Sequence, residues 1–352
     1  MSSARLRVAV LMGGISPEHP VSLVSGCGIL SNLDPSRYEG FPVLISSGNE
    51  WMWPSAGADI HPPLQPDQAK SLLNNPPADW HRIQFPGFSA FPQADIFFIG
   101  LHGVGGEDGS LQRILEQRKQ PFTGSGSVGS ALAMDKISSK QLYTQHSIPT
   151  AKWVILEPNE YGEAGAAKIE KELGLPCVVK HPTGGSSIGV AVVRDGESLR
   201  KAVRELGKDA PHLLAEVFVK GREATCGVLE GLAQPLPPTE IRPKQDAFFS
   251  YEAKYQPGRT EEITPAEFPA EVIAEIQRLA RKSHEALQLS VYSRTDFIWS
   301  PSVGSGTDGL FALETNNLPG FTPMSILPQQ AAKAGINYSD LLTRIIEESL
   351  KH

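Results

Sequence analysis

The sequence predicts an α/β protein that begins with a doubly wound sheet, and two stretches carry that expectation. Residues 7–12 form a short apolar run that ends at Gly13-Gly14, with a helix starting between Ser16 and Ser22. Residues 95–100 (DIFFIG) repeat the arrangement: an apolar strand, a glycine-rich turn over 102–109, then a helix with Leu111, Ile114 and Leu115 on one face. Strand, glycine turn and helix in succession are the mark of an open α/β sheet, whose ligands gather outside the carboxyl ends of the strands. Both glycine turns fall at such ends.

The later elements follow from the same reasoning. Residues 121–152 read as a helix-bearing connection into a second unit. Within it, Gly124-Ser125-Gly126-Ser127-Val128-Gly129 matches GxGxxG, but no acid lies about twenty residues on to hold a ribose, so the match is weak. A Walker A sequence is absent from the chain. The strand CVVK (177–180) runs through a Gly/Ser loop (183–189) into a second strand (190–193), which reads either as an anion-binding, closable loop or as an ordinary glycine-rich hairpin. A further strand over 213–219 carries Glu216, with Glu223 after the Lys220-Gly221 turn. Residues 234–267 show little periodicity and read as a lid-like loop containing Tyr251-Glu252-Ala253-Lys254-Tyr255. Two amphipathic helices follow, one turning Val272, Ile276, Leu279 and Leu287 inward, the other Leu342, Ile345, Ile346 and Leu350.

Between those helices lies the densest chemistry. Strands over 291–299 and 310–316, joined by a Gly/Ser loop with Asp308-Gly309, predict a hairpin. Side chains alternate along a strand, so Arg294 and Asp296 share a face, as do Glu314 and Asn316. Pairing the strands would bring together two carboxylates, an amide oxygen and an arginine. Such a set, too small to fill a coordination shell, suits Mg²⁺ that keeps waters and shares nucleotide phosphates; the alternative is a pair of solvated carboxylates on an edge hairpin. The Pro319-Gly320 turn just beyond fixes the backbone past these groups.

Composition bounds the functions open to the chain. Its 352 residues allow two or three domains, and 40% hydrophobic with 20% charged residues is a globular balance. A formal net charge of −7 speaks against nucleic acid or an anionic membrane as the main partner, though not against a local basic pocket. Cys27, Cys177 and Cys226 are odd in number and form no CxxC pair, which points to a reducing compartment without a metal or disulfide framework. The first apolar run, 8–12, is too short for a signal-peptide core or a membrane span, so the expected location is the cytoplasm.

Taken in order, GGxSxEHxVSxxSG (13–26), LHGxxGEDGxLQ (101–112), TGSG with SALAMDK (123–136), VVK with GGSSxGV (178–190), YEAKY (251–255), RxD (294–296) and ExNxLPGFT (314–322) resemble the D-alanine–D-alanine ligases of the ATP-grasp superfamily. The resemblance runs from about Val8 to the C-terminal helix. It implies a preATP-grasp α/β domain over 1–123, a central ATP-grasp subdomain over 124–215, and a C-terminal subdomain over 216–352 carrying lid and metal site. It also implies an ATP-dependent ligase that phosphorylates one D-alanine and joins it to a second, with a homodimer as the expected assembly.

The resemblance supplies roles residue by residue. Glu18 would hold the first ammonium and, with Ser186 and Tyr255, close the lid. Lys136 and Lys180 would bind ATP phosphates, Glu216 and Glu223 the adenine and ribose side, and Lys254 the transferring phosphate. Asp296, Glu314 and Asn316 would hold Mg²⁺, with Mn²⁺ as a substitute, and Arg294 the oxyanion. Gly320 and Ser325 would receive the second carboxylate, with His102 lining the site. The chain departs from the family's usual pattern at Pro20, Arg113, His181, Gly184, Thr295, Thr315 and Asn317. Pro20 and Arg113 flank the substrate side, so a sibling ligase joining other amino acids is the alternative, with a silent binding homologue as a third.

Overall fold

The computed structural model describes residues 5–55, 64–85, 91–183, 189–243, 260–304 and 306–352. In the first unit, strand β1 (Leu6–Gly13) lies parallel between β2 (Tyr38–Ile45) and β5 (Ile96–Ile99). Val8 to Met12 and Ile96 to Phe98 are wholly buried, as strands of a parallel sheet covered on both faces require. Helix α1 (His19–Asn32) follows β1 and buries Leu23, Ile29 and Leu30 in the same core. The sheet order β4-β3-β2-β1-β5 reverses between β1 and β5, so both predicted glycine turns open onto the point where such folds bind ligands. The antiparallel extension by β3 (Glu50–Trp53) and β4 (His81–Gln84), flanking helix α2 (Pro66–Asn74), has no counterpart in the sequence reading. Trp51, Met52 and Trp53 are all buried, so the strand shows no apolar–polar alternation.

The rest of the chain builds two antiparallel sheets. The central one orders β6 (Trp153–Leu156), β9 (Leu213–Val217), β7 (Cys177–Lys180) and β8 (Val190–Val193). Helices α6 (Glu163–Glu172) and α7 (Gly196–Leu206) bury Ile169, Leu199 and Val203 against it. The other orders β12 (Thr260–Ile263), β11 (Thr239–Pro243), β10 (Arg222–Leu229), β13 (Tyr292–Trp299) and β14 (Leu310–Asn316). It is covered by α8 (Ala270–Ala286), whose Val272, Ile276 and Leu279 are wholly buried, with Leu287 just beyond.

Several expectations change in three dimensions. Residues 234–267 are not one long loop: β11 and β12 lie within them, disguised because their buried glutamate, Glu240, is paired by Arg222 and Arg242 instead of being apolar. The expected boundary at 215/216 falls inside β9, which pairs with β6 and β7 of the central sheet. Preceding that sheet, α4 (Ser127–Met134) and α5 (Lys136–Gln145) contribute Ala133 and Tyr143 to the core of the C-terminal sheet. The GxGxxG stretch is a packing device there. A Cβ on Gly129 would lie 2.4 Å from the Gln288 carbonyl oxygen, and Ser290 donates its N–H to Ser125 Oγ at 3.0 Å.

The final helix α10 (Tyr338–Ser349), after α9 (Ile326–Lys333), returns to the first unit. Its Leu341, Leu342, Ile345 and Ile346 join the core of the parallel sheet, whereas Leu350, expected inward, is 43% exposed beyond the helix end. Ile345→Ala should therefore lower the unfolding free energy of the N-terminal core by about 2–5 kcal/mol. Denaturant melting followed by fluorescence of the buried Trp51 and Trp53 checks this, and an unchanged midpoint would contradict the packing.

Candidate active site

The β13–β14 register sets Asp296 opposite Glu314, Thr295 opposite Thr315, and Arg294 opposite Asn316. The carboxylates and amide foreseen from alternation therefore meet on one face. Arg294 Nε donates to Asp296 Oδ1 at 3.1 Å, and the Thr225 hydroxyl of β10 donates to the same oxygen. Lys136, at the start of α5, places Nζ 3.3 Å from Glu314 Oε2. Asn316 Oδ1 accepts the Leu318 N–H at 2.9 Å, which fixes the amide at the strand end and leaves its oxygen a second lone pair. On the opposite face the departures Thr295 and Thr315 are buried and compensate each other, Oγ1 to Oγ1 at 2.9 Å, with Tyr143 Oη 2.7 Å from Thr315.

This donor set fits Mg²⁺. Among the described residues no three His, Cys, Asp or Glu side chains could hold a metal by themselves. Two opposed carboxylates and an amide oxygen leave positions for water and phosphate, the shell a hard cation of this size takes in nucleotide sites.

Between the central and C-terminal sheets runs a cleft with two kinds of wall. Val178, Val190, Val192, Phe218, Val219 and Ile298 line it with apolar surface, and Lys136, Lys180, Glu223, Asp296 and Glu314 line it with charge. Glu216 also reaches the cleft, but its carboxylate is 3% exposed and taken by two cations. Lys140 Nζ stands 2.7 Å from Oε2, and Lys180 pairs with Oε1. Burial alone would push the Glu216 carboxyl up; the two ammonium groups outweigh it and hold the acid down at about 2. The resemblance places Glu216 on the adenine side of the nucleotide; in the fold its carboxylate is engaged by the two lysines. It anchors the lysines.

The N-terminal glycine turns supply a third wall. His102 is buried, with Nε2 2.9 Å from Ser25 Oγ and Nδ1 3.8 Å from Glu107 Oε1. A Cβ on Gly103 (φ +68°) would come within 3.0 Å of Glu18 Oε2 and 2.3 Å of Ser16 Oγ, so only glycine lets the two turns meet. Glu18 is the N-cap residue of α1 and makes no side-chain capping hydrogen bond there. Asn317, another departure, donates Nδ2–H to the Glu107 carbonyl at 3.2 Å and ties the second turn to the end of β14. Ser325 Oγ accepts the Thr322 N–H at 3.0 Å at the start of α9, beside Gly320.

The remaining departures are explained locally. Pro20 occupies the first turn of α1, where no intrahelical N–H is needed. Arg113 is exposed on α3 (Ser110–Gln117), while its neighbour Gln112 is buried and donates to the Gly106 carbonyl at 2.6 Å. His181 Nδ1 accepts the Thr183 N–H at 3.2 Å. Ser186, Lys254 and Tyr255, with Gly184, lie outside the described residues. Sequence reasoning missed Lys140 and Thr225. Lys140 had one signal available: it lies four residues after Lys136, on the same helical face.

Similarity to known proteins covers the whole chain. The family profile described as D-ala D-ala ligase N-terminus matches residues 7–125, and that described as D-ala D-ala ligase C-terminus matches 142–347. The D-alanine–D-alanine ligase of Syntrophobacter fumaroxidans is 40% identical over 353 residues, covering 100% of both chains. The Bacillus anthracis D-alanine–D-alanine ligase complexed with ATP superposes with a TM-score of 0.74 at 31% identity, over 99% of this chain and 98% of that one. VanG D-Ala:D-Ser ligase from Enterococcus faecalis gives 0.83 at 27% identity, over 98% of this chain and 100% of that one.

Proposed function

Since the chain belongs to the D-alanine–D-alanine ligase family, we propose which of its residues carry out the ATP-dependent joining of two D-alanines, by way of a D-alanyl phosphate, into a peptidoglycan precursor. The observation that carries the reading is the meeting of Lys136, Lys180, Asp296 and Glu314 in one cleft whose other wall is apolar. A flat base fits the apolar wall, and a polyphosphate fits the charged end. Lys136 and Lys180 bind phosphate oxygens, and Glu223 serves the ribose side. Asp296, Glu314 and Asn316 hold Mg²⁺ (or Mn²⁺), which when bound neutralises phosphate charge.

At the other end, Glu18 takes the ammonium of the first D-alanine, at the place where Gly103 lets the two turns approach. Arg294 donates toward the oxyanion that develops when the second amine attacks, and Ser325 with the Gly320 backbone receives the second carboxylate. Phosphoryl transfer gains chiefly from positioning and charge neutralisation, which explains a site rich in cations and without a protein nucleophile. The acylphosphate must be shielded from water, the work assigned to Ser186, Lys254 and Tyr255. The enzyme acts as a homodimer in the cytoplasm; among the described residues no helix is long and apolar enough to cross a membrane.

Phosphate release from ATP and Mg²⁺ over a panel of D- and L-amino acids, D-serine included, tests the reading. Strongest release with D-alanine alone is the expected result. A different preferred pair would establish the sibling-ligase alternative, and silence from a folded sample would overturn the assignment.

A further inference from the structure

Lys140 is the most completely buried charged side chain at the site, 1% exposed, and it does not line the cleft. Its ammonium touches Glu216 Oε2 at 2.7 Å and donates to Thr150 Oγ1 at 2.5 Å, and Thr150 in turn donates to the Ala312 carbonyl of β14 at 2.9 Å. Burying an ammonium is costly, and a well-packed apolar side chain of similar volume often stabilises a core as well as a buried ion pair does. Packing by itself therefore does not account for a charge here.

Charge balance does. Glu216 paired with Lys180 alone is a neutral couple, with little field left for an anion. Burial lowers the Lys140 pKa, Glu216 works against that and the Lys180 ammonium adds to it. With Lys140 protonated on the other carboxylate oxygen, the buried trio carries one net positive charge, and of the two lysines Lys180 is the one that lines the cleft. We propose that Lys140 is a positioning residue for nucleotide binding: its ammonium offsets the charge on one oxygen of Glu216 so that Lys180 stays fixed and retains net positive charge toward the phosphates. The inference rests on the ATP reading above and adds to it a residue that need not touch the nucleotide.

The test compares the parent enzyme with Lys140→Met, Lys180→Met and the double variant Lys140→Met/Glu216→Gln. The readouts are calorimetric binding of a non-hydrolysable ATP analogue with Mg²⁺ and the KM values for ATP and D-alanine. Lys140→Met should weaken nucleotide binding and raise the KM for ATP by roughly tenfold or more, the effect of removing one buried charge several ångströms from a phosphate. The KM for D-alanine should stay within about threefold, because the uniform loss of a merely structural defect is not expected. The double variant restores the net charge but leaves Lys180 without its Glu216 partner, so it should bind more tightly than Lys140→Met and more weakly than the parent, a non-additivity expected only of groups acting on one another.

A folded Lys140→Met variant with parental ATP affinity overturns the proposal, as does a double variant no better than Lys140→Met. If Lys140→Met does not fold, the double variant carries the test against Lys180→Met, and a loss as large as that of Lys180→Met overturns the proposal. A parent enzyme that binds no ATP would instead sink the ATP reading itself.

Discussion

Arg294→Ala is expected to lower turnover by about a hundredfold or more, the size of effect seen when one donor to a developing oxyanion is lost, about 3 kcal/mol. Three features make the arginine a preorganised donor. Its side chain is 13% exposed, Asp296 receives its Nε–H at 3.1 Å, and the strand register holds it opposite Asn316. In the proposed role the guanidinium would meet the reacting centre already oriented, with little reorganisation left for the transition state. Because the interaction strengthens only as charge develops, kcat should fall while the KM for ATP changes little. Arg294→Lys keeps the charge but loses the planar fork, so it should recover only part of the loss. Turnover of Arg294→Ala within about threefold of the parent would remove Arg294 from the second half-reaction.

Glu314→Gln should abolish most Mg²⁺-dependent phosphate release, with a fall of about a hundredfold at ordinary Mg²⁺, consistent with the several kcal/mol a bound cation contributes to phosphoryl transfer. Glu314 stands directly across the ladder from Asp296, and Lys136 Nζ lies 3.3 Å from its Oε2. In the proposed metal role, neutralising it removes half of the carboxylate charge facing the cation, and it also takes away the Glu314 contact of Lys136. A Mg²⁺ titration of activity separates the two consequences. A metal role moves the midpoint upward and lets high Mg²⁺ recover part of the rate. A role limited to holding Lys136 moves the KM for ATP and leaves the Mg²⁺ midpoint in place. Undiminished activity in folded Glu314→Gln would refute both.

The hairpin was legible because its information is local. Alternation fixes which side chains share a face before any partner is known, and Asp308-Gly309 marked where the chain turns. The glycine turns after β1 and β5 were legible for the same reason: an apolar run that stops at glycine needs no distant contact to be read. Among the strands that escaped notice are those in which burial erases alternation, as at Trp51 to Trp53, or in which a buried charge imitates a polar loop, as at Glu240. The last helix illustrates a further limit. Its apolar stripe was plain in the sequence, but nothing in a stripe says which core it enters, and Ile345 and Ile346 pack with the first sheet of the chain.

By itself, then, the sequence determined the α/β opening with its glycine turns, the hairpin face bearing Arg294, Asp296, Glu314 and Asn316, and the ordered motifs whose resemblance to a known family implied a nucleotide-dependent ligase. The tertiary structure decided which charges neutralise which. It paired Glu216 with Lys140 and Lys180, set Lys136 against Glu314, and tied Asn317 to the turn that carries Glu107. The reason is physical. Side-chain direction along a strand follows from covalent geometry within a few residues, whereas the state and role of a carboxylate depend on burial and on cations brought from distant segments. For Glu216 the family resemblance implies a place on the nucleotide's side, and the fold adds the two lysines that its buried carboxylate holds.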